Sequence, residues 1–156
     1  MKLKVRKIRE DAKLPLRAHP TDAGMDLFYC PAAEYKTFIG TKEMRIPSSS
    51  GVILPTGLKI GVPEGYMLEI KNKSGIAAKR QLVVGACVVD SGYDGEVFVN
   101  LNNIGRDTQV IDPGQKIAQA VLVPIVCCDV EDVGSGTVYE SDTARGTGAL
   151  GSTGDF

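Results

Sequence analysis

The stretch Gly85–Asn103, GACVVDSGYDGEVFVNLNN, decides the fold class. A short apolar run, Cys87–Val89, stops at Asp90. Turn formers follow, with Gly92 and Gly95 flanking Tyr93 and Asp94. Val97, Val99 and Leu101 then share one face of an alternating run, and Phe98, Asn100 and Asn102 share the other. Apolar strand, glycine-containing turn and period-two strand predict a β-hairpin. Its mouth would hold one carboxylate, Asp90, and one phenol, Tyr93, on rigid backbone, the support a reactive group needs. An Asp before a turn also has a plainer role, which is to bond its own backbone.

The same grammar repeats outward from this stretch. Lys2–Ile8, Met25–Tyr29, part of Glu34–Ile46, Gly51–Val62 and Tyr66–Lys71 read as strands. Pro15, Pro20, Pro31, Ser48–Gly51, Pro55–Gly57 and Pro63–Gly65 punctuate them, and Asp112–Gly114 does so further on. Ile117–Cys128 is apolar on both faces, with Val121, Val123 and Ile125 on one and Ala120, Leu122 and Val126 on the other. A strand of that kind is covered on both sides, here by a partner subunit, because a bare second face would be an exposed apolar patch. Only Asn72–Arg80 favours a helical turn, with Ser74 as its N-cap. Turn signals every few residues with almost no helical period predict an all-β domain, a jelly roll or barrel. Residues 1–132 form that domain. Residues 133–156, rich in Gly, Ser and Thr, cannot bury enough apolar area to order themselves and read as a mobile arm.

Composition narrows the function classes. The 156 residues suffice for one domain with a real core, and the net charge of −1 argues against a nucleic-acid surface or a polybasic membrane anchor. The four cysteines, Cys30, Cys87, Cys127 and Cys128, form no CxxC pair, and His19 is the single histidine, which argues against structural zinc. No apolar run reaches membrane length, and the first eighteen residues are too charged for a signal peptide. Free thiols then predict a reducing, cytoplasmic setting.

Four stretches besides the hairpin can carry chemistry. Ala23–Leu27 places Asp26 at the opening of a strand. Lys73-Ser74-Gly75 puts a cation and a hydroxyl at the start of the helical turn, where free N–H groups favour an anion. Gly114–Gln119 ends on Gln119, a polar side chain inside an apolar strand that must find partners. The arm carries Arg145, Gly146, Gly148, Leu150, Gly151, Ser152, Thr153 and Gly154. Its glycines let main-chain N–H groups close around phosphate oxygens, although the P-loop ending is missing. Two lone carboxylates among phosphate-binding groups fit Mg²⁺ that travels on the phosphates and keeps several waters.

The order and content of these stretches resemble the five motifs of the trimeric deoxyuridine triphosphatases. The first is matched by Ala23–Leu27, the second by Lys73–Ala77, the third by Gly85–Gly95, the fourth by Gly114–Gln119 and the fifth by Arg145–Gly154. The resemblance implies a jelly-roll homotrimer with three sites at subunit interfaces, which hydrolyses dUTP to dUMP and pyrophosphate with Mg²⁺. It implies that Asp90 is the general base that activates water. Tyr93 packs against the sugar and excludes a 2′-hydroxyl. The backbone over Val84, Gly85, Cys87, Val88 and Val89 reads the uracil edge. Asp26 supports the metal through water. Lys73, Ser74 and Gly75 meet the α/β-phosphate region, and Gln119 lies near the α-phosphate and the water. Arg145, Leu150, Gly151, Ser152 and Thr153 belong to the arm's cover over the base and the γ-phosphate.

Three positions depart from the family pattern. Lys73 stands where Arg is usual, which keeps the charge and loses the bidentate fork. Cys87 replaces a glycine, and Leu150 replaces an aromatic ring over the base, with Phe156 as a substitute nearby. These departures imply an active enzyme whose lid closes less tightly. Two alternatives remain open at this point. One is dCTP deamination, disfavoured because its catalytic Glu is replaced by Asn100. The other is a nucleotide-responsive binding module with a regulatory protein partner.

Overall fold

Val97, Val99 and Leu101 are each at most 1% exposed, so the alternation read from the sequence places the inward face of this strand correctly. The structure is a computed structural model that describes residues 1–35 and 40–149. Part of the expected strand-and-loop Glu34–Ile46 lies outside those residues, as do Leu150, Gly151, Ser152, Thr153 and Phe156.

The strands are β1 (Lys4–Lys7), β2 (Met25–Phe28), β3 (Met44–Ile46), β4 (Gly51–Pro55), β5 (Leu58–Gly61) and β6 (Tyr66–Lys71). A single short helix, α1 (Ser74–Arg80), precedes β7 (Leu82–Val84), β8 (Val88–Val89), β9 (Phe98–Asn103), β10 (Gln109–Ile111) and β11 (Lys116–Pro124). All described pairings are antiparallel. They build the sheets β2-β11-β6-β8, β4-β9-β7, β1-β5 and β3-β10, none of which closes on itself among the described residues. The all-β jelly-roll expectation therefore holds and the closed barrel does not. Leu27, Leu54, Leu58, Leu68, Ile111 and Ile117 lie in the shared core with almost no exposure, which is the main stabilising term of such a domain.

The central hairpin is corrected. β8 pairs with β6, whereas β9 pairs with β4 and β7, so the two arms read as one hairpin lie in different sheets. The partner of β9 on this side is β7, and the ladder ends where Gly85 N–H donates to the Asn100 carbonyl at 3.0 Å. Asn100 Oδ1 then accepts the Ala86 N–H at 3.2 Å and turns the chain away. Cys87 next accepts the Ile70 N–H, which delivers Val88 and Val89 to β6. Gly85 has a packing reason to be glycine. A Cβ there would meet Asn100 Oδ1 at 2.0 Å and Asn102 Nδ2 at 2.6 Å. Period-two alternation reports which face a strand buries and leaves open which neighbour it takes.

Two smaller corrections concern ends. Ser74 is the first helical residue and Lys73 occupies the cap position, without a side-chain cap bond. The Lys73 carbonyl accepts the N–H groups of Ile76 and Ala77 instead. The helix stops at Gln81, which takes a left-handed φ of 53° while its N–H returns to the Ala77 carbonyl. β11 ends at Pro124, short of the expected Cys128, and Val126 is 92% exposed. Val121, Leu122 and Val123 are half-buried.

The chain divides into two units, Met1–Val126 and Cys127–Phe156. The second, through residue 149, consists of turns whose hydrogen bonds close over two or three residues, such as Gly136 N–H to the Val133 carbonyl and Gly148 N–H to the Arg145 carbonyl.

Candidate active site

Asp26 is the most constrained polar residue of the first unit. β2 is buried at all four positions, and the bridge to Leu16 closes off one side of its backbone. The Asp26 side chain is 6% exposed, with Lys73 Nζ at 2.7 Å from Oδ1 and Lys116 Nζ at 2.6 Å from Oδ2. The Lys73 contact is a hydrogen bond. The Lys116 contact is an ion pair with the other carboxylate oxygen. Burial alone would push the Asp26 carboxyl up. The approach of Lys116 and Lys73 and their charges outweigh it and hold the group below its ordinary value.

Gln119 stands opposite Asp26 in the ladder. Its Nε2 donates to the Asn72 carbonyl at 2.9 Å, and its Oε1 lies over Gly24, where a Cβ would meet it at 1.9 Å. Asn72 in turn accepts the Val84 N–H on Oδ1 at 2.7 Å. Ser74 and Gly75 are exposed beside this cluster. One group thus joins Asp26, Lys73, Lys116, Gln119 and Asn72.

The second group surrounds Asp90. Its carbonyl accepts the Tyr93 N–H at 3.4 Å, and Gly92 takes the positive φ of 87° that this turn requires. The Asp90 side chain is exposed and has no hydrogen-bond partner among the described residues, so it does not hold the turn. Tyr93 is 48% exposed and donates its hydroxyl to the Glu96 carbonyl at 2.9 Å. Its ring crosses Gly95 so closely that a Cβ there would lie 2.2 Å from the hydroxyl oxygen. Glu96 is anchored from behind by the Arg9 guanidinium and by the Gly57 N–H at 2.7 Å. Beside Asp90, an open depression of about 210 Å³ is walled by Val88, Val89, Tyr93 and Phe98. That is smaller than the roughly 300–1,000 Å³ of sites that enclose small ligands.

The two groups do not meet within one chain. Val89 stands opposite Leu68 on one side of β6, and Gln119 stands opposite Lys71 on the other. Three residues along the strand and two inter-strand steps separate them, roughly 10 Å in each direction. Asp90 continues away from Gln119. Arg145 belongs to the second unit, where its Nε donates to the Gly148 carbonyl at 3.1 Å.

Comparison with known proteins gives this pairing a context. A sequence profile of dUTPase matches residues 10–154. The chain belongs to the dUTPase family. A dUTPase-family relative from Gloeothece citriformis, a deoxyuridine 5′-triphosphate nucleotidohydrolase, is 37% identical over 99% of this chain and 97% of its own. One from Clostridium tetani, described in the same words, is 37% identical over 97% and 96%. Among solved structures, a mutant dUTPase of Staphylococcus bacteriophage 80alpha with dUpNHpp superposes with a TM-score of 0.83, at 26% identity and covering 98% of each chain. A mutant dUTPase from phage phi11 of S. aureus, reported with a structural Mg(II) ion, gives 0.73 at 27% identity, over 85% of this chain and 97% of that one.

The sequence alone does not single out Lys116, Asn72, Gly24 or the Arg9–Glu96 anchor, which the structure places around the two groups. Gln119 inside an apolar strand was the signal for its own cluster. Nothing in the sequence placed Lys116 on the same face, because that depends on an irregular ladder.

Proposed function

We infer that the chain is a dUTP diphosphatase, which hydrolyses dUTP to dUMP and pyrophosphate. Family membership sets the reaction. The observation that carries it to residues is the unpartnered carboxylate of Asp90, held on a loop that Tyr93 and Glu96 pin from both sides. Asp90 orients a water and takes its proton as the water oxygen bonds to the α-phosphorus. The bond to the pyrophosphate oxygen breaks on the opposite side. Tyr93 packs against the deoxyribose and leaves no room for a 2′-hydroxyl. The N–H groups of Val84, Gly85 and Ala86 already hold the segment's own shape, so the base is read by the backbone around Cys87, Val88 and Val89.

Lys73, Ser74, Gly75 and Gln119 meet the phosphates. They come from a neighbouring protomer, since one chain holds them far from Asp90. A homotrimer with sites at its interfaces satisfies this requirement and covers Val121 and Val123. Arg145, Leu150, Gly151, Ser152 and Thr153 cover the bound triphosphate and exclude water.

No three His, Cys, Asp or Glu residues gather among the described residues, and the Asp26 carboxylate already faces two ammonium groups. This donor set does not fit an ion held by the protein alone. It would suit Mg²⁺ carried on the triphosphate, with Asp26 holding it through water; the ion would supply charge neutralisation at the phosphate oxygens. Deamination of dCTP is not favoured: Asn100 is engaged by the Ala86 N–H and by the Val52 carbonyl, as structure.

The test is pyrophosphate release from dUTP, UTP, dCTP and dTTP, with and without Mg²⁺. dUTP alone is expected to turn over rapidly, and the rate is expected to vanish in Asp90→Asn. A folded protein that binds dUTP without turnover overturns the proposal.

A further inference from the structure

Lys116 reaches Asp26 because β11 is irregular. Gln119 stands opposite Asp26 and Ala118 opposite Leu27, but the next registered pair is Lys116 with Phe28. In an unbroken ladder Ile117 would face Phe28. Lys116 would then fall opposite Tyr29, on the other side of the sheet, because side chains alternate. The bulge takes one residue out of the count and turns Lys116 onto the face that carries Asp26 and Gln119. The two consecutive buried residues Ile117 and Ala118 mark the same break in alternation. Bulges re-aim side chains in this way, and do so beside functional sites.

The outcome is a carboxylate with two cations where one would neutralise it. Lys73 holds Oδ1 at 2.7 Å and Lys116 approaches Oδ2 at 2.6 Å. This surplus bears on how a phosphate could be gripped. With its ammonium bound to Asp26 at 2.7 Å, Lys73 can give a phosphate its undivided charge only by moving off the carboxylate. Departure from a lone pair would strand a buried negative charge, which is strongly unfavourable. A second cation already in place removes that obstacle.

We propose that Lys116 is a positioning residue for triphosphate binding: turned onto Asp26 by the β11 bulge, it keeps that carboxylate neutralised while the Lys73 ammonium moves from Asp26 to the phosphate oxygens. The inference rests on the dUTP-hydrolysing reading of the site. It assigns Lys116 no phosphate contact of its own. It also gives a reason for Lys at position 73, since a single flexible ammonium transfers between two acceptors more readily than a bidentate guanidinium fork.

The test is binding of the imido analogue dUpNHpp, measured by calorimetry in the presence of a chelator so that no metal contributes. Wild-type turnover of dUTP is measured first, and its absence overturns the functional reading itself. Lys116→Gln is expected to weaken dUpNHpp binding about tenfold or more, and Lys116→Arg to stay within about threefold of wild type. With Asp26→Asn there is no charge left to neutralise. Asp26→Asn and the double variant Asp26→Asn/Lys116→Gln are therefore expected to bind within about twofold of each other. Equal binding by wild type and Lys116→Gln overturns the proposal. So does an equal loss in both backgrounds, which would make Lys116 a direct phosphate contact. If Lys116→Gln fails to fold, Lys116→Met takes its place in both backgrounds, with the same loss expected beside Asp26 and the same equality expected beside Asp26→Asn.

Discussion

Asp90 and Asp26 are both aspartates beside phosphate-binding groups, and their surroundings divide the work between them. Asp90 is exposed with its carboxylate unengaged, whereas Asp26 is buried and faces two lysines. A base needs free lone pairs within reach of water, so Asp90 meets the requirement and Asp26 does not. Asp90→Asn is expected to lower kcat for dUTP by about a hundredfold or more while dUpNHpp affinity holds within about threefold. Steady-state kinetics with calorimetry checks this. At Gly95, the Tyr93 ring occupies the space a Cβ would need. Gly95→Ala is therefore expected to displace the ring and relax the preference for dUTP over UTP. The ratio of kcat/KM values for the two nucleotides reads the change, which should approach that of Tyr93→Ala.

At the scale of elements, the β11 bulge and the β6 ladder carry the consequences. Asp26 contributes stability that is fully present above about pH 4, the ordinary aspartate range, and fades as pH falls through its depressed folded value. Lys116→Gln removes one of the two cations that depress it. The part of the stability that Asp26 loses in acid is then expected to shrink, visible as a shallower fall of the urea midpoint between about pH 6 and pH 3 than in the wild type. Elements of this kind were unevenly legible in the sequence. Tyr66–Lys71 emerged with its bounds intact, because alternation over a core records itself residue by residue. The turn that carries Asp90 and Tyr93 was legible. The pairing of β8 with β6 was not, since strand partners are chosen by long-range packing. The Asp26–Lys73–Lys116 cluster was equally hidden: its members are far apart in the chain, and only a bulge aligns the last of them.

For the whole molecule, the half-buried apolar face of β11 and the small depression beside Asp90 both call for additional surface. Light scattering on the intact protein is expected to report the mass of three chains. Deletion from Ala144 onward should leave that mass and the thermal transition in place while dUTP turnover falls about a hundredfold or more. Loss of the assembly on truncation would instead make the C-terminal segment a structural part of it. Because β6 holds Asp90 and Gln119 apart on opposite flanks, each defect stays with the chain that carries it. Two dead proteins, Asp90→Asn and Gln119→Ala, should then revive each other when unfolded together and refolded as hybrids. Some interfaces of a mixed particle inherit an intact half from either parent, so genetic complementation between alleles follows from a gap of a few rungs in one sheet.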